Sequence, residues 1–193
     1  MENPGIETVA QNICQTIETL ITKEEKVVLE IFGIGKLNDE DCMYQLQLAI
    51  GLLKRLKQKH GDIVITSGEP LHVEAEKNFL QKSGIQSRKI GFSNEDFINS
   101  ATGADSIAIC YMIHCSPDIH EAFIAANKNN LNQIIFVGNK PEDILIEGKR
   151  VKLLKDPEMI QKVIATADLK SFDVKPLLPK FPINFTWIYR FKI

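Results

Sequence analysis

The stretch Ala108-Ile-Cys-Tyr-Met-Ile-His-Cys-Ser-Pro-Asp118 decides the fold class of this chain. Its apolar part is unbroken, which is typical of a strand buried on both faces in the middle of a parallel sheet. Ser116 and Pro117 then predict a helix start, because Ser caps free N–H groups and Pro fits the first helical position. His114 and Cys115 are therefore predicted at the carboxyl end of a central strand, where open α/β sheets hold ligands.

Predicted strands and helices alternate along the rest of the chain. Apolar spacing predicts helices over 6–22, 41–59, 70–82, 92–101 and 117–129, a short one after Pro141, and one over 157–165. The strands are predicted at 27–32, 62–66, 87–90, 106–113, 133–137 and 151–154. This alternation indicates a single-domain, Rossmann-like three-layer α/β fold with a mostly parallel sheet of about six strands.

The two ends of the chain differ from this pattern. Residues 1–26 are predicted to hold an amphipathic helix that packs on an α/β domain of residues 27–193. At the other end, Asn184-Phe-Thr-Trp-Ile-Tyr-Arg-Phe191 is predicted as an aromatic β segment at one sheet edge, with Trp187 covering the core. A partner-binding tail is the alternative interpretation of that segment.

Composition excludes some classes of function. A net charge of -2 argues against a general affinity for nucleic acid or for an anionic membrane. No apolar stretch approaches the roughly 20 residues that span a bilayer, and the first residues lack a signal pattern. The four cysteines form no C-x-x-C pair and fit free thiols in a reducing compartment. We therefore expect a cytoplasmic protein, with the nucleus as a second location.

Two glycines follow the first predicted strand. Gly33 and Gly35 stand where a dinucleotide-binding loop begins, but Asn38 occupies the position of the third glycine. A sharp turn that only glycine tolerates explains the pair equally simply. The second strand leads into Ser67, and the nearest carboxylate, Glu69, comes late for gripping a ribose, so NAD(P) and S-adenosylmethionine are the less favoured cofactors.

Three interpretations of the central strand end stay open. Cys115 and His114 are a catalytic pair, a metal or haem ligand set, or a structural strand end. A helix start favours the thiolate of Cys115, and His120 lies one turn into that helix. Adjacent strand residues point to opposite faces, which separates His114 from Cys115. His72 and His60, at predicted helix ends, are expected to be solvated.

A last pair, Gly138 and Asn139, closes the fifth predicted strand. Asn139 orients a ligand or only tolerates a left-handed turn. Because the carboxyl ends of parallel strands share one edge, we predict a ligand pocket there and assign no catalytic residue. The predicted ligand-binding residues are Gly33, Gly35, Ser67, His114, Cys115, Gly138 and Asn139.

In order, these features resemble the sensitivity-to-red-light-reduced (SRR) family, the SRR1-like proteins. The resemblance rests on four strings and on the aromatic segment around Trp187: Phe32-Gly-Ile-Gly35, Gln45-Leu46, Tyr111-Met-Ile-His-Cys115 and Val137-Gly-Asn139. The chain departs from the family at Ile113, where Pro is usual, at Lys140, where Ser is usual, and in the string Thr66–Pro70.

The resemblance implies a regulatory protein rather than an established enzyme. Family members are associated with circadian timekeeping and light signalling in plants, with haem biosynthesis and clock-gene expression in animals, and with drug sensitivity in fungi. Haem is the ligand that it suggests, with His114 and Cys115 as iron-ligand candidates. It also implies regulatory protein partners that the residues do not identify. A nucleotide- or S-adenosylmethionine-dependent enzyme, and an interaction module with a vestigial pocket, are the alternatives.

Overall fold

The computed structural model describes residues 4–21, 26–88, 106–113, 115–173 and 185–192. The helix predicted over 92–101 and His114 lie outside these residues. Within them, the apolar runs predicted as strands form a sheet, and the predicted helices cover both of its faces. This confirms the Rossmann-like, mostly parallel α/β fold.

Seven described strands form one sheet in the order β3-β2-β1-β4-β5-β7-β6. All run in the same direction except β7, which is antiparallel to both of its neighbours. The strand order therefore reverses between β1 and β4, at the centre of the sheet. The strands are β1 (Lys26–Phe32), β2 (Val64–Gly68), β3 (Gln86–Arg88), β4 (Ser106–Met112), β5 (Ile134–Gly138), β6 (Ala167–Asp173) and β7 (Phe185–Phe191).

Six helices of the described chain connect and cover these strands. Asp39 caps α2 by accepting the N–H groups of Asp41 and Cys42, and a proline occupies the first turn of α4, α5 and α6. The helices are α1 (Pro4–Glu18), α2 (Glu40–His60), α3 (Glu74–Lys82), α4 (Pro117–Ala126), α5 (Pro141–Arg150) and α6 (Pro157–Ile164). α3 begins at Glu74, because Pro70–Val73 form a loop instead of the predicted first turn.

Each face of the sheet has its own apolar core. On one face, buried residues of α1 and α2 pack on β1, β2 and β4. On the other, Phe32, Phe123 and Phe136 pack with β7 and α6. The amphipathic helix α1 thus shares a core with the sheet, and the domain boundary at residue 26 stays a prediction.

The C-terminal strands correct two details of the sequence analysis. The aromatic segment, expected at the sheet edge, lies one strand inside it, because β6 pairs along its outer side. The strand predicted at 151–154 is wrong: those residues are a turn between α5 and α6. Three apolar residues among four are too few to identify a strand, whereas β6 (Ala-Asp-Leu-Lys-Ser-Phe-Asp) is largely polar, as an edge strand can be.

A carboxylate lies inside the apolar run of β1. Glu30 is fully buried, and its Oε1 lies 3.5 Å from a guanidinium nitrogen of Arg88 on β3. A buried carboxylate needs such a partner to remain charged. The ion pair therefore helps to hold the short strand β3 in register with the sheet.

Among the described residues, no helix is both long enough and apolar enough to cross a membrane.

The aromatic packing of β7 predicts a stability effect. Phe191 is buried and meets the ring of Phe136 edge-on at 5.4 Å between centroids. We expect Phe191→Ala to lower the free energy of unfolding by about 3–5 kcal/mol, since a large cavity remains. Lys192→Ala, which removes only an exposed ion pair to Asp168, is the control and should cost about 1 kcal/mol or less. Similar losses in urea unfolding of the two variants would contradict this packing.

Candidate functional site

The strand order reverses between β1 and β4, so their carboxyl ends form the topological switch point of the sheet. Gly33 ends β1 with φ of +68°, and a Cβ added to it would lie 2.5 Å from the Sγ of Cys115, which follows β4. Both the left-handed backbone and the contact require glycine here. The structure therefore brings together two residues that the sequence predicted at one site, and it packs them directly against each other.

A second glycine turns the same loop toward β2. Gly35 has φ of +77°, and a Cβ there would lie 2.7 Å from the Sγ of Cys42. Its N–H donates to Oε2 of Glu69 at 3.0 Å, and the other oxygen of Glu69 accepts from the N–H of Leu71 at 2.9 Å. A loop N–H that a phosphate would use in a nucleotide site is thus already bonded to a carboxylate.

Two more side chains fasten this loop. The Nε2 of His72 lies 2.8 Å from the carbonyl oxygen of Gly35, so this nitrogen carries the proton. Glu76 accepts from the N–H groups of Leu37 at 2.7 Å and Val73 at 2.8 Å. These two hydrogen bonds lower the pKa of Glu76.

The sequence analysis missed this clamp of Glu69, His72 and Glu76. Glu69, which comes late in the chain for holding a ribose, contacts the loop instead. His72 was expected to be solvated, which is wrong, because the ring is buried against Gly35. The only sequence signal was Glu76 three residues after Val73, the spacing of a helix-capping carboxylate.

Ser67 lies beneath the loop rather than in it. It aligns with Ile31 in the sheet, as does Tyr111 on the other side, so the three side chains share the face that α2 covers. The Tyr111 hydroxyl donates to the carbonyl of Gln45 in α2 at 3.1 Å. Within the described residues, neither Oγ of Ser67 nor Oε1 of Gln45 has a hydrogen-bond partner, although both atoms are buried.

The environment of the Cys115 thiol does not favour a nucleophile. The helix start was expected to lower the pKa of its thiol, but burial raises the pKa far above its usual value, and the nearby charges of Glu69 and Asp118 add to the rise. The thiol is therefore neutral at physiological pH. A thiol that coordinates a metal ion is deprotonated by it, so the prediction that Cys115 ligates a haem iron stays a prediction.

The remaining predicted residues occupy different positions. Gly138 pairs with Met112 in the sheet, and a Cβ there would lie 2.7 Å from the Met112 carbonyl oxygen, so the glycine serves close strand contact. Asn139 is half-buried at the same edge and is hydrogen-bonded or otherwise paired. His114 lies outside the described residues, so its predicted role stays a prediction.

His120 is buried in α4. Its Nδ1 lies 3.1 Å from the Ser116 carbonyl oxygen, and burial lowers its pKa to about 4. The ring is therefore neutral at physiological pH. The described ranges contain no group of three or more His, Cys, Asp or Glu residues placed to hold a metal ion.

An open groove borders the clamped loop. It has a volume of about 610 Å³ and lies at the carboxyl ends of β1 and β2, between the starts of α2 and α3. We call it the β1–β2 groove; its lining residues are Lys36, Leu37, Asn38, Met43, Leu71, Val73, Ala75, Glu76 and Phe79.

The fold and this edge define the class: a Rossmann-like α/β domain with its candidate site at the topological switch point. The SRR1 domain model matches residues 10–186, which is nearly the whole chain. The chain therefore belongs to the SRR1 domain family. No curated protein matches the chain in sequence.

Solved structures of methyltransferases are similar to this chain. The O-methyltransferase TomG from Streptomyces achromogenes, involved in tomaymycin synthesis and solved with SAM, is 13% identical, with a TM-score of 0.50 over 99% of this chain and 81% of that chain. The plantazolicin methyltransferase BamL, solved with a triazolic desmethylPZN analog and SAH, is 14% identical, with a TM-score of 0.45 over 98% of this chain and 85% of that chain. At 13% identity the likeness to TomG shows the fold alone.

The contact between Gly33 and Cys115 predicts a specific double-mutant result. Gly33→Ala adds backbone strain and a clash, whereas Gly61→Ala adds strain alone, since φ is +74° there and no atom lies within 4 Å. We expect Gly33→Ala to lose more unfolding free energy than Gly61→Ala, by roughly 1–3 kcal/mol. Adding Cys115→Ala should restore part of that difference. No recovery in the double variant would contradict the contact.

The clamp predicts a pH dependence of stability. The pKa of Glu76 is lowered from 4.5 in the folded state, so its stabilisation is complete above pH 4.5 and is lost as pH falls through the folded value. Glu76→Gln removes this titration. The difference in unfolding free energy between wild type and Glu76→Gln should therefore shrink below pH 4.5.

Urea unfolding at several pH values measures this difference. Glu74→Gln, whose carboxylate is exposed in the same helix turn, is the control. A difference for Glu76→Gln that does not vary with pH would show that its charge does not hold the loop.

Proposed function

We propose that this SRR1-family protein is a regulatory protein that acts by binding a small ligand at the carboxyl edge around Gly33 and Ser67. The observation that carries the proposal is two buried polar atoms between the sheet and α2, Ser67 Oγ and Gln45 Oε1, each without a hydrogen-bond partner among the described residues. Buried polar atoms of this kind are normally satisfied by water or by a ligand.

Family membership supports the same proposal. The strings that identified the family meet at this edge: Gly33 contacts Cys115, and the Tyr111 hydroxyl bonds to Gln45. Because those contacts join separate parts of the chain, a ligand that moves the loop would be felt by β4 and α2 together. Coupling of the loop to β4 and α2 is what a ligand sensor needs. An enzyme that used Cys115 as its nucleophile would instead need an ionised, accessible thiol, and this thiol is neutral and buried.

The identity of the ligand is tested with three probes: haem, S-adenosylmethionine and NAD(P). A probe that binds only the folded chain at a hundred times its Kd stabilises it by about 2.7 kcal/mol. We expect Ser67→Ala to bind such a probe at least tenfold more weakly. Thr66→Ala, whose side chain aligns with Glu30 on the opposite face, should bind it normally.

Thermal unfolding and calorimetry with each probe decide the outcome. No response to any probe, together with no small molecule in the mass spectrum of the purified protein, would contradict ligand binding and favour the interaction module. Equal effects of Ser67→Ala and Thr66→Ala would place the ligand elsewhere.

For haem, the proposed iron ligands are His114 and Cys115. His114→Ala and Cys115→Ala should then each weaken or shift the absorbance of the haem complex. Unchanged spectra in both variants would contradict this ligand assignment.

An S-adenosylmethionine-dependent enzyme is the second candidate. The observation in its favour is Glu69, a carboxylate fixed beside the glycine loop just after β2, the region where Rossmann domains hold a ribose. Both Glu69 oxygens already accept backbone N–H groups, which weakens this candidate. Absence of S-adenosylmethionine binding in calorimetry would reject it.

The physiological role follows from the family resemblance. We propose that the protein regulates circadian or haem-biosynthesis pathways in the cytoplasm, and also in the nucleus, through protein partners and without direct contact to nucleic acid or membrane. Unchanged rhythms and haem levels after gene disruption would contradict the pathways, and a fluorescent fusion tests the location.

A further inference from the structure

The β1–β2 groove exposes an unusual share of apolar surface. Seven large apolar side chains of the described residues are exposed, and three of them line or border this groove: Leu71 at 57%, Val73 at 61% and Phe79 at 46%. Leu37 and Met43 extend the same surface inward. Apolar patches of this kind, bordered by polar residues, mark interaction sites on protein surfaces.

The shape of the groove favours a polypeptide over a small molecule. Pockets for small ligands bury most of their occupant, whereas the three apolar side chains named above remain about half exposed on an open surface. The walls are the starts of two helices, α2 and α3, and the loops 36–38 and 71–73 that lead into them. A groove between helices suits an amphipathic helix that inserts side chains spaced three and four residues apart.

The wall of the groove is fixed in advance. Glu76 ties the Leu37 backbone to that of Val73, and Glu69 and His72 hold the Gly35 loop behind it. A preformed surface loses less conformational entropy on binding than a mobile one. The clamp therefore has a use beyond stability, since it keeps the apolar surface in one arrangement.

The charge around the groove selects the partner. The segments 36–43 and 69–79 carry only two lysines, Lys36 and Lys77. The partial positive charge of the two helix N-termini offsets some of the negative charge of the carboxylates. The carboxylates nevertheless outnumber these lysines three to one. The six carboxylates are Asp39, Glu40, Asp41, Glu69, Glu74 and Glu76.

We propose that the β1–β2 groove docks a short amphipathic helix of a partner protein, whose apolar side chains are flanked by lysine or arginine. The apolar stripe enters between α2 and α3, and the cations face the carboxylates at the two helix starts. This surface is separate from the proposed ligand site under the loop, so the two proposals can fail independently.

The test is selection from a random 16-residue peptide library displayed on phage, against the full-length protein. Binders are depleted against Phe79→Ser, which removes the largest apolar side chain of the groove. We expect the enriched peptides to share apolar residues at helical spacing together with Lys or Arg. Enriched peptides without that pattern, or no enrichment, would overturn the proposal.

Matched variants then locate the binding of the best peptide. Phe79→Ser should weaken its Kd at least tenfold, while Ile146→Ser, an apolar side chain 65% exposed on α5, should leave it unchanged. Glu74→Lys should also weaken it, whereas Glu147→Lys on α5 should not. The weakening by Glu74→Lys should diminish at high salt, because exposed charges are screened.

Two further outcomes contradict the proposal. Equal effects of Phe79→Ser and Ile146→Ser would indicate nonspecific adhesion. A wild-type dimer in size-exclusion chromatography that Phe79→Ser converts to a monomer would identify a second copy of this chain as the occupant. Thermal unfolding of each variant confirms that these surface substitutions leave the protein folded.

Discussion

The close contact between the ends of β1 and β4 is the constraint on which the candidate site depends. Gly33 can approach Cys115 only because it lacks a Cβ and adopts a left-handed backbone. That turn directs residues 34–38 across the end of β2, where Glu69, His72 and Glu76 hold them. The position of α2, the buried row under it and the β1–β2 groove all follow from the course of this loop.

The clamp changes the chemistry expected of a Rossmann-like edge. In nucleotide-binding members of this architecture, free N–H groups of the first loop meet phosphate. Here carboxylates take the N–H groups of Gly35 and Leu37, so an anion would meet negative charge. The edge is thus better suited to neutral or cationic groups. Structural likeness to methyltransferases describes how the chain folds and leaves this difference in place.

Buried polar groups divide the edge into two layers. The lower layer holds Ser67, Tyr111 and Gln45 between the sheet and α2, next to the apolar core of that face. The upper layer is the clamped loop, whose outer surface forms the groove. Ligand binding below and partner docking above would share one structural element, the segment from Gly33 to Asn38. If this segment has two stable arrangements, binding at one site can change the affinity of the other site.

The sequence by itself determined the fold class and the family, and it predicted the sheet edge at which the candidate site lies. Unbroken apolar strands such as 106–113 and helix starts such as Ser116-Pro117 are local signals, and they suffice to order a parallel sheet. Only the tertiary structure placed β7 inside β6, buried His72, and turned Glu69 and Glu76 onto the glycine loop. The placement of β7 depends on an edge strand with few apolar residues. The other features depend on contacts between residues more than 20 positions apart, which the local spacing of residues does not predict.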